Sequence, residues 1–509
     1  MAVLDNEMSV CGGHEDLRPR PEVGRQIVKR RTFSGVQLFA FSLTYMAVWE
    51  SMIGNLYAAL YNGGPQPLVF GFIIVFLGAM SQAGSICEMA SMKPVAGAQY
   101  QWTSDLAPER CRTFAAWLQG WSTWFGYMSI VAGMANVTII FLQSIVKLNY
   151  PDFVPGGWKT SVLVIFMFTI IGAVNIFGFK LIPWIEMVAG VLHVALFIVI
   201  AVVLAVSGTR NSGVFWLSKN SSSGWQDGFV SWNMGMVASV WAFTGFDGAM
   251  HMSEDTRKAK SAVPQAIFWS IVLNGILGFC MVNVLVLTMG SPEEVLAMDN
   301  PIIAILMRTT GSKAATTVLM SAFSIVNLSC NIANVASVSR LTSAWARDDG
   351  LPRQLSFIDE TRNVPIKAVC LTAVIPSALC LLNIGNGPYI AFGALTSLSS
   401  ISLYTSYAIA IASMLYARFI GSVKLGKWNL GRCGVYVNTF ALAFTLYVMV
   451  FLPFPSTLPV TPSNMNYCGP LMVSVLVMVV LYWFIRARNN TWKRPDDGIA
   501  RRVMETDEI

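Results

Sequence analysis

Two carboxylates stand where carboxylates are expensive. Glu50 lies inside one apolar run, in Trp49-Glu50-Ser51-Met52-Ile53-Gly54-Asn55. Asp247 lies inside another, in Trp241-Ala242-Phe243-Thr244-Gly245-Phe246-Asp247-Gly248. A charge at mid-span costs about 2.5–3.5 kcal/mol on insertion scales. Each side chain must therefore face a cavity or a partner instead of lipid. The neighbouring glycines permit backbone excursions, and polar neighbours can satisfy the groups that a break would free. Such segments are where a transporter binds its substrate. The rival reading makes both acids buried, paired structural polars.

Further polar residues recur at helical spacing. Ser324, Asn327, Asn331 and Asn334 share one face of a run, and Ser397, Ser400, Tyr404 and Tyr407 share a face of another. These stripes serve either a substrate or helix–helix packing. Glu186, Gly190 and His193 form a third set. Histidine titrates near 6.5 in water, which suits a proton relay, so His193 with Glu186 is the candidate coupling pair. Glu88, Glu254 and Asp255 sit at run ends beside Arg and Lys, as ion pairs or gate latches.

The elements that carry these residues follow from composition. Of 509 residues, 55% are hydrophobic and 12% charged, half the roughly 25% of soluble proteins. This is an all-α polytopic membrane chain; disordered, nucleic-acid-binding and disulfide-rich secreted classes are excluded. Twelve spans are expected, at 37–60, 67–88, 114–146, 160–179, 183–206, 229–252, 266–289, 315–342, 367–384, 389–416, 435–454 and 469–486. With the N-terminus inside, only Lys147, Lys159, Arg210, Lys219, Arg308 and Lys313 of the 34 basic residues fall outside. That is the positive-inside rule, and it places both termini in the cytosol. The units are a tail at 1–36, five spans at 37–206, five at 229–416, two at 435–486 and a tail at 487–509. The polar residues 1–35 do not resemble a cleaved signal peptide.

Nothing points to an enzyme. The chain has no HExxH or GxSxG and only three histidines, and its nine cysteines form no CxxC or Cys/His cluster. No metal and no cofactor are expected. Asn220-Ser221-Ser222, in the long outer loop after the fifth run, is the expected glycosylation site.

Three segments together resemble the amino acid–polyamine–organocation superfamily, most closely the fungal amino acid/choline/GABA permease group. They are Phe243–Asp255 continuing to Val263-Pro264-Gln265-Ala266-Ile267, Glu88–Met92 with Pro94–Trp102, and Ser339-Arg340-Leu341 with Ala346–Pro352. The family usually carries a glycine where Ala98 stands.

The resemblance implies a LeuT-type fold of two inverted five-helix repeats, with helices one and six broken near Val48–Gly54 and Phe243–Asp247, plus two extra helices. It implies a secondary transporter, commonly proton-driven in fungi. Half-helix N-termini would then receive a substrate carboxylate, and free carbonyls an ammonium group. The expected substrate residues are Trp49, Glu50, Ser51, Gly54, Trp241, Phe243, Thr244, Gly245, Phe246, Asp247, Asn327, Asn331 and Tyr404, with Trp241 and Glu254 as gates. The main expectation is a plasma-membrane importer of amino acids or GABA-like compounds by proton symport; a vacuolar location is open. A choline or organic-cation carrier is the close alternative, since Trp49, Trp241, Phe243 and Phe246 could form an aromatic cage. A non-transporting nutrient sensor is the more distant one. The expected partners are the substrate, protons and the bilayer, with no nucleic acid.

Overall fold

The computed structural model describes residues 31–485 apart from 220, 299, 386–387 and 462–463. The tails, with Cys11 and His14, and the sequon residue Asn220 lie outside the described residues. Helices dominate, and the described residues show only two isolated β-bridges, Phe33 with Thr256 and Asp359 with Val364. In a bilayer a helix satisfies its own backbone, so long apolar runs become helices. Polar caps start several of them: Ser34 forms a capping box with Gln37, Asp227 accepts from the N–H groups of Phe229 and Val230, and Ser312 accepts from Ala315.

Eleven described helices are long and apolar enough to cross a membrane. The twelfth expected span, the sixth, is the exception. Its helix Gly228–Phe243 has 16 residues, and after a turn the chain resumes as a 3₁₀ helix, Gly248–Asp255. It falls short because it is broken. The first span is divided as well, into Gly35–Met46, Val48–Gly54 and Leu56–Gly63. Several helices outrun their apolar cores; the third, Arg112–Asn149, has 38 residues. At 1.5 Å per residue it spans about 57 Å, more than the roughly 30 Å hydrocarbon layer.

The packing follows the two-unit pattern. Adding or subtracting five turns most neighbouring pairs of the first ten spans into other neighbouring pairs. Spans one and seven pack together, as do six and two; three and ten pack, as do eight and five. Spans two with seven, three with eight, and four with nine map onto themselves and also pack. This is the contact pattern of two inverted five-helix repeats, with spans eleven and twelve on the flank. Apolar side chains such as Phe166, Ile170, Val188 and Val191 point outward and are exposed; a bilayer is the solvent that suits them.

Candidate substrate site and gates

A cavity of about 970 Å³ opens among the loops at the end poor in Lys and Arg. It narrows to Gly54, Asn55, Trp241, Thr396, Ser397 and Ser400. Trp241 is its floor, only 7% exposed, with its ring edge-on to Phe392 at 5.2 Å. The Trp241 carbonyl accepts the Thr244 N–H at 3.0 Å, and the Thr244 and Ser400 hydroxyls lie 3.2 Å apart. The cavity thus ends one turn above the break in span six. None of its described lining residues is Asp or Glu.

The first span breaks at Ala47, one residue before the expected stretch, and Val48–Gly54 is itself helical. Ala47 takes a left-handed φ of 43°, a conformation costing an L-residue about 1–2 kcal/mol. Side chains from other spans and from span one itself cover the freed backbone. Asn274 on span seven donates to the Leu43 carbonyl at 3.0 Å and accepts from the Val48 N–H at 3.3 Å. Cys330 on span eight reaches the Tyr45 carbonyl, and Ser51 the Met46 carbonyl at 3.4 Å. Ala47 can hold this conformation because Asn274 pins both sides of it.

On the short helix Val48–Gly54, Gly54 lines the cavity while Glu50 turns away from it. Glu50 Oε1 is 2.7 Å from His193 Nδ1, and both side chains are buried. Glu50 Oε2 and His193 Nε2 have no hydrogen-bond partner. The His193 ring is 5.8 Å from that of Trp49. Glu186, expected to act on His193, accepts instead from Thr44 at 2.6 Å, on the other side of Ala47. Span five therefore sets one polar residue against each half of the broken helix. Gly190 faces span one between them, where a Cβ would rest in ordinary contact with that of Ala40 at 3.4 Å.

In span six Gly245 has a φ of 83°, and its N–H donates to the Tyr407 hydroxyl at 3.1 Å. Asp247 is fully buried below the cavity floor and is absent from the lining. Its carboxylate accepts from Tyr407 Oη and from Gln99 Nε2. Phe243 packs on Phe72 at 5.3 Å and Phe246 on Tyr407 at 5.2 Å. Asn331 donates to Thr138 on span three at 2.9 Å and Asn327 to its own helix at Phe323, while Tyr404 is buried against Tyr407 and Phe444. Of the expected substrate residues, Gly54 and Trp241 line the cavity, together with Ser397 and Ser400 of the tenth-span stripe. Sequence reasoning missed Asn274 and Gln99. Neither belongs to a periodic stripe, and each matters only through a partner far along the chain.

The Lys/Arg-rich end is packed shut. Gly248–Asp255 is buried throughout. Glu254 takes both Arg347 Nη2 at 2.8 Å and Nη1 at 3.2 Å, and also the Ala96 N–H. Arg340 pairs with Asp255 at 3.1 Å and Arg418 with Glu88 at 2.5 Å. The segment carrying Ala96 and Gln99 is the plug: Ala96 O accepts from His251, and Tyr100 and Gln101 donate to Asp348. Ala98 has a φ of 45°, the geometry that glycine takes most easily and the family's usual residue supplies. Arg347→Met is expected to raise several-fold the labelling of a cysteine at Ala249 by an impermeant thiol reagent from this end. Exchanging the charges, Glu254→Arg with Arg347→Glu, is expected to restore protection; unchanged labelling of the single variant would show that this pair is no latch.

The chain is similar throughout to known membrane proteins. The amino acid permease family model matches residues 33–481. The choline transporter of Saccharomyces cerevisiae is 28% identical over 466 residues, covering 89% of this chain and 81% of that protein. Amino-acid permease 2 of Neurospora crassa is 27% identical over 483 residues, covering 92% and 87%. Amino-acid permease BAT1 of Arabidopsis thaliana is 25% identical over 489 residues, covering 92% and 94%.

Proposed function

Because the chain belongs to the amino acid permease family, and is thus a multi-pass membrane transporter and not an enzyme, we propose that it imports amino acids or related amino compounds such as GABA by alternating access, with protons as the coupling ion. One observation carries this reading: a cavity open at one end stops at the breaks in spans one and six while the other end is sealed. That is one of the two states alternating access needs. The substrate would enter past Tyr57 and Tyr61, displace Trp241, and meet Gly54, Ser51 and Thr244–Gly245. The short helix and the turn there present backbone dipoles to a zwitterion.

Choline is the second reading, favoured by the aromatic walls Tyr57, Tyr61, Trp241 and Phe392 and by the name of the yeast relative. The two buried acids beside the breaks, Glu50 and Asp247, already have protein partners, which weighs for the zwitterion. Purified protein in liposomes is expected to take up a neutral amino acid, and choline to compete at least tenfold more weakly. The reverse order would assign the site to choline, and uptake of neither would support the sensor reading.

The basic end is assigned to the cytosol and the cavity to the outside, with both termini cytosolic, in the plasma membrane ahead of the vacuolar one. A cysteine at Asn220 is expected to react with an impermeant reagent from outside, and one at Asn489 only after permeabilisation. A cytosolic position 220 would overturn the orientation and Asn220 as a glycosylation site.

A further inference from the structure

A groove of about 460 Å³ lies at the basic end between spans one and five and the loop after span six, with Ser34, Gln37, Trp184, Met187 and Arg257 among its lining. It sits on a seam. Phe33 N–H donates to the Asp255 carbonyl and Arg257 N–H to the Phe33 carbonyl, both at 3.0 Å, so the start of span one is stitched to the exit of span six. Arg257 is exposed, and its Nε donates to the Arg31 carbonyl at 3.2 Å. Arg257 also lines the groove itself. Phe179 packs against Phe33 at 6.4 Å, with Arg340 stacked 3.9 Å above its ring. The next residue of the chain is the exposed Lys180, one turn before Trp184.

One turn along span five, Trp184 is 60% exposed, and Val36 on span one is 68% exposed. The apolar face continues through Leu181, Val188 and Val191, each more than 60% exposed. Tryptophan at a span end marks the level of lipid headgroups. Arg257 thus lines the groove beside Trp184, Lys180 precedes that tryptophan by one turn, and an exposed apolar wall continues along span five. A free anion would use the cations but not the wall, and a neutral lipid the wall but not the cations.

We propose that this groove is a binding site for an anionic phospholipid. Its phosphate sits on Arg257 and Lys180, and its acyl chains lie along Val36, Trp184 and Val188. The planar guanidinium matches phosphate oxygens, and the ammonium adds a point charge. The lipid covers the seam joining the basic-end halves of the two broken helices. The binding itself does not depend on what substrate the protein carries.

Native mass spectrometry of the full chain, released from bilayers mixing phosphatidylserine with phosphatidylcholine, reads the site without any transport. Wild type is expected to retain phosphatidylserine in preference to phosphatidylcholine. Arg257→Gln and Lys180→Gln are each expected to lose about fivefold of that preference, as for about one charge's interaction with an anionic surface. Arg257→Lys is expected to keep most of it, which separates loss of charge from misfolding. Arg110→Gln, on the loop before span three, is expected to change nothing. Equal retention of both lipids by wild type, or full retention by the Arg257→Gln/Lys180→Gln double variant, would overturn the proposal. So would displacement of the retained lipid by inorganic phosphate alone, which would make the site one for the free anion.

Discussion

Asp247→Asn is expected to lower uptake by more than tenfold while the protein still reaches the membrane. The carboxylate accepts from Gln99 on the plug and Tyr407 on span ten, directly below the turn of span six. Hydrogen bonds to a charged group are worth about 1.5–3 kcal/mol and neutral ones about 0.5–1.5. Asparagine thus gives up about 1 kcal/mol at each contact. If both exist only while the basic end is shut, the balance of states moves by about 2 kcal/mol, or about thirtyfold. The fold itself is expected to survive, because Gln99 Oε1 has no partner and the amide can turn to accept from asparagine. Two roles for Asp247 then give different readouts. As anchor of the plug, its loss exposes a cysteine placed at Ala96 to reagent from the basic end. As a ligand for a substrate ammonium in another state, its loss raises KM and leaves that cysteine protected. Normal transport by a variant present in the membrane would remove both roles.

The second large effect is expected at His193. His193→Ala is expected to abolish accumulation driven by a pH gradient while leaving substrate exchange measurable. Glu50 and His193 meet through one pair of atoms, and the far oxygen and the far nitrogen have no partner. Under the proton symport proposed above, this pair is the candidate carrier of the coupling proton. It is built on Val48–Gly54, the piece whose far end walls the cavity, so a change in its charge acts on the element nearest the proposed substrate. With one proton per substrate, each pH unit supports about tenfold accumulation; the variant is expected to show none. Removing one partner of a buried hydrogen bond leaves the other unsatisfied, at a cost of about 1–3 kcal/mol. The Glu50→Gln/His193→Gln double variant, with its membrane level measured, is therefore the companion that separates lost coupling from lost protein. Uptake by His193→Ala with unchanged pH dependence would move the coupling role to Glu186 or Asp247.

Most of the fold was legible because its signals are local. Apolar runs and the bias of Lys and Arg carry the spans and their order, and the glycines beside Asp247 mark the break in span six. The break in span one was placed a residue late because Ala47 carries no glycine signal; what holds it open is Asn274, 227 positions on. The partners of the buried acids were illegible for the same reason. Helical spacing put Glu186 beside His193, but the pairing that forms joins spans one and five, and Glu50 is 143 residues from His193. Gln99 and Asp247 are 148 apart. Periodicity reports which residues share a face of one helix and is silent on which helix meets that face. The stripe of Asn327 and Asn331 shows the converse: the shared face is real, and Asn331 spends it on holding span three.

Asn274 gives the broken first helix a mechanical property. One amide spans the kink, its nitrogen on Leu43 behind Ala47 and its oxygen on Val48 ahead of it. If Gly35–Met46 swings while Val48–Gly54 stays, the amide must release one of the two. Part of the stiffness of this joint therefore resides in a side chain of a neighbouring span, beside the bonds that the bent helix makes itself. The same amide that steadies the kink thus sets which contact has to be given up when the two halves part.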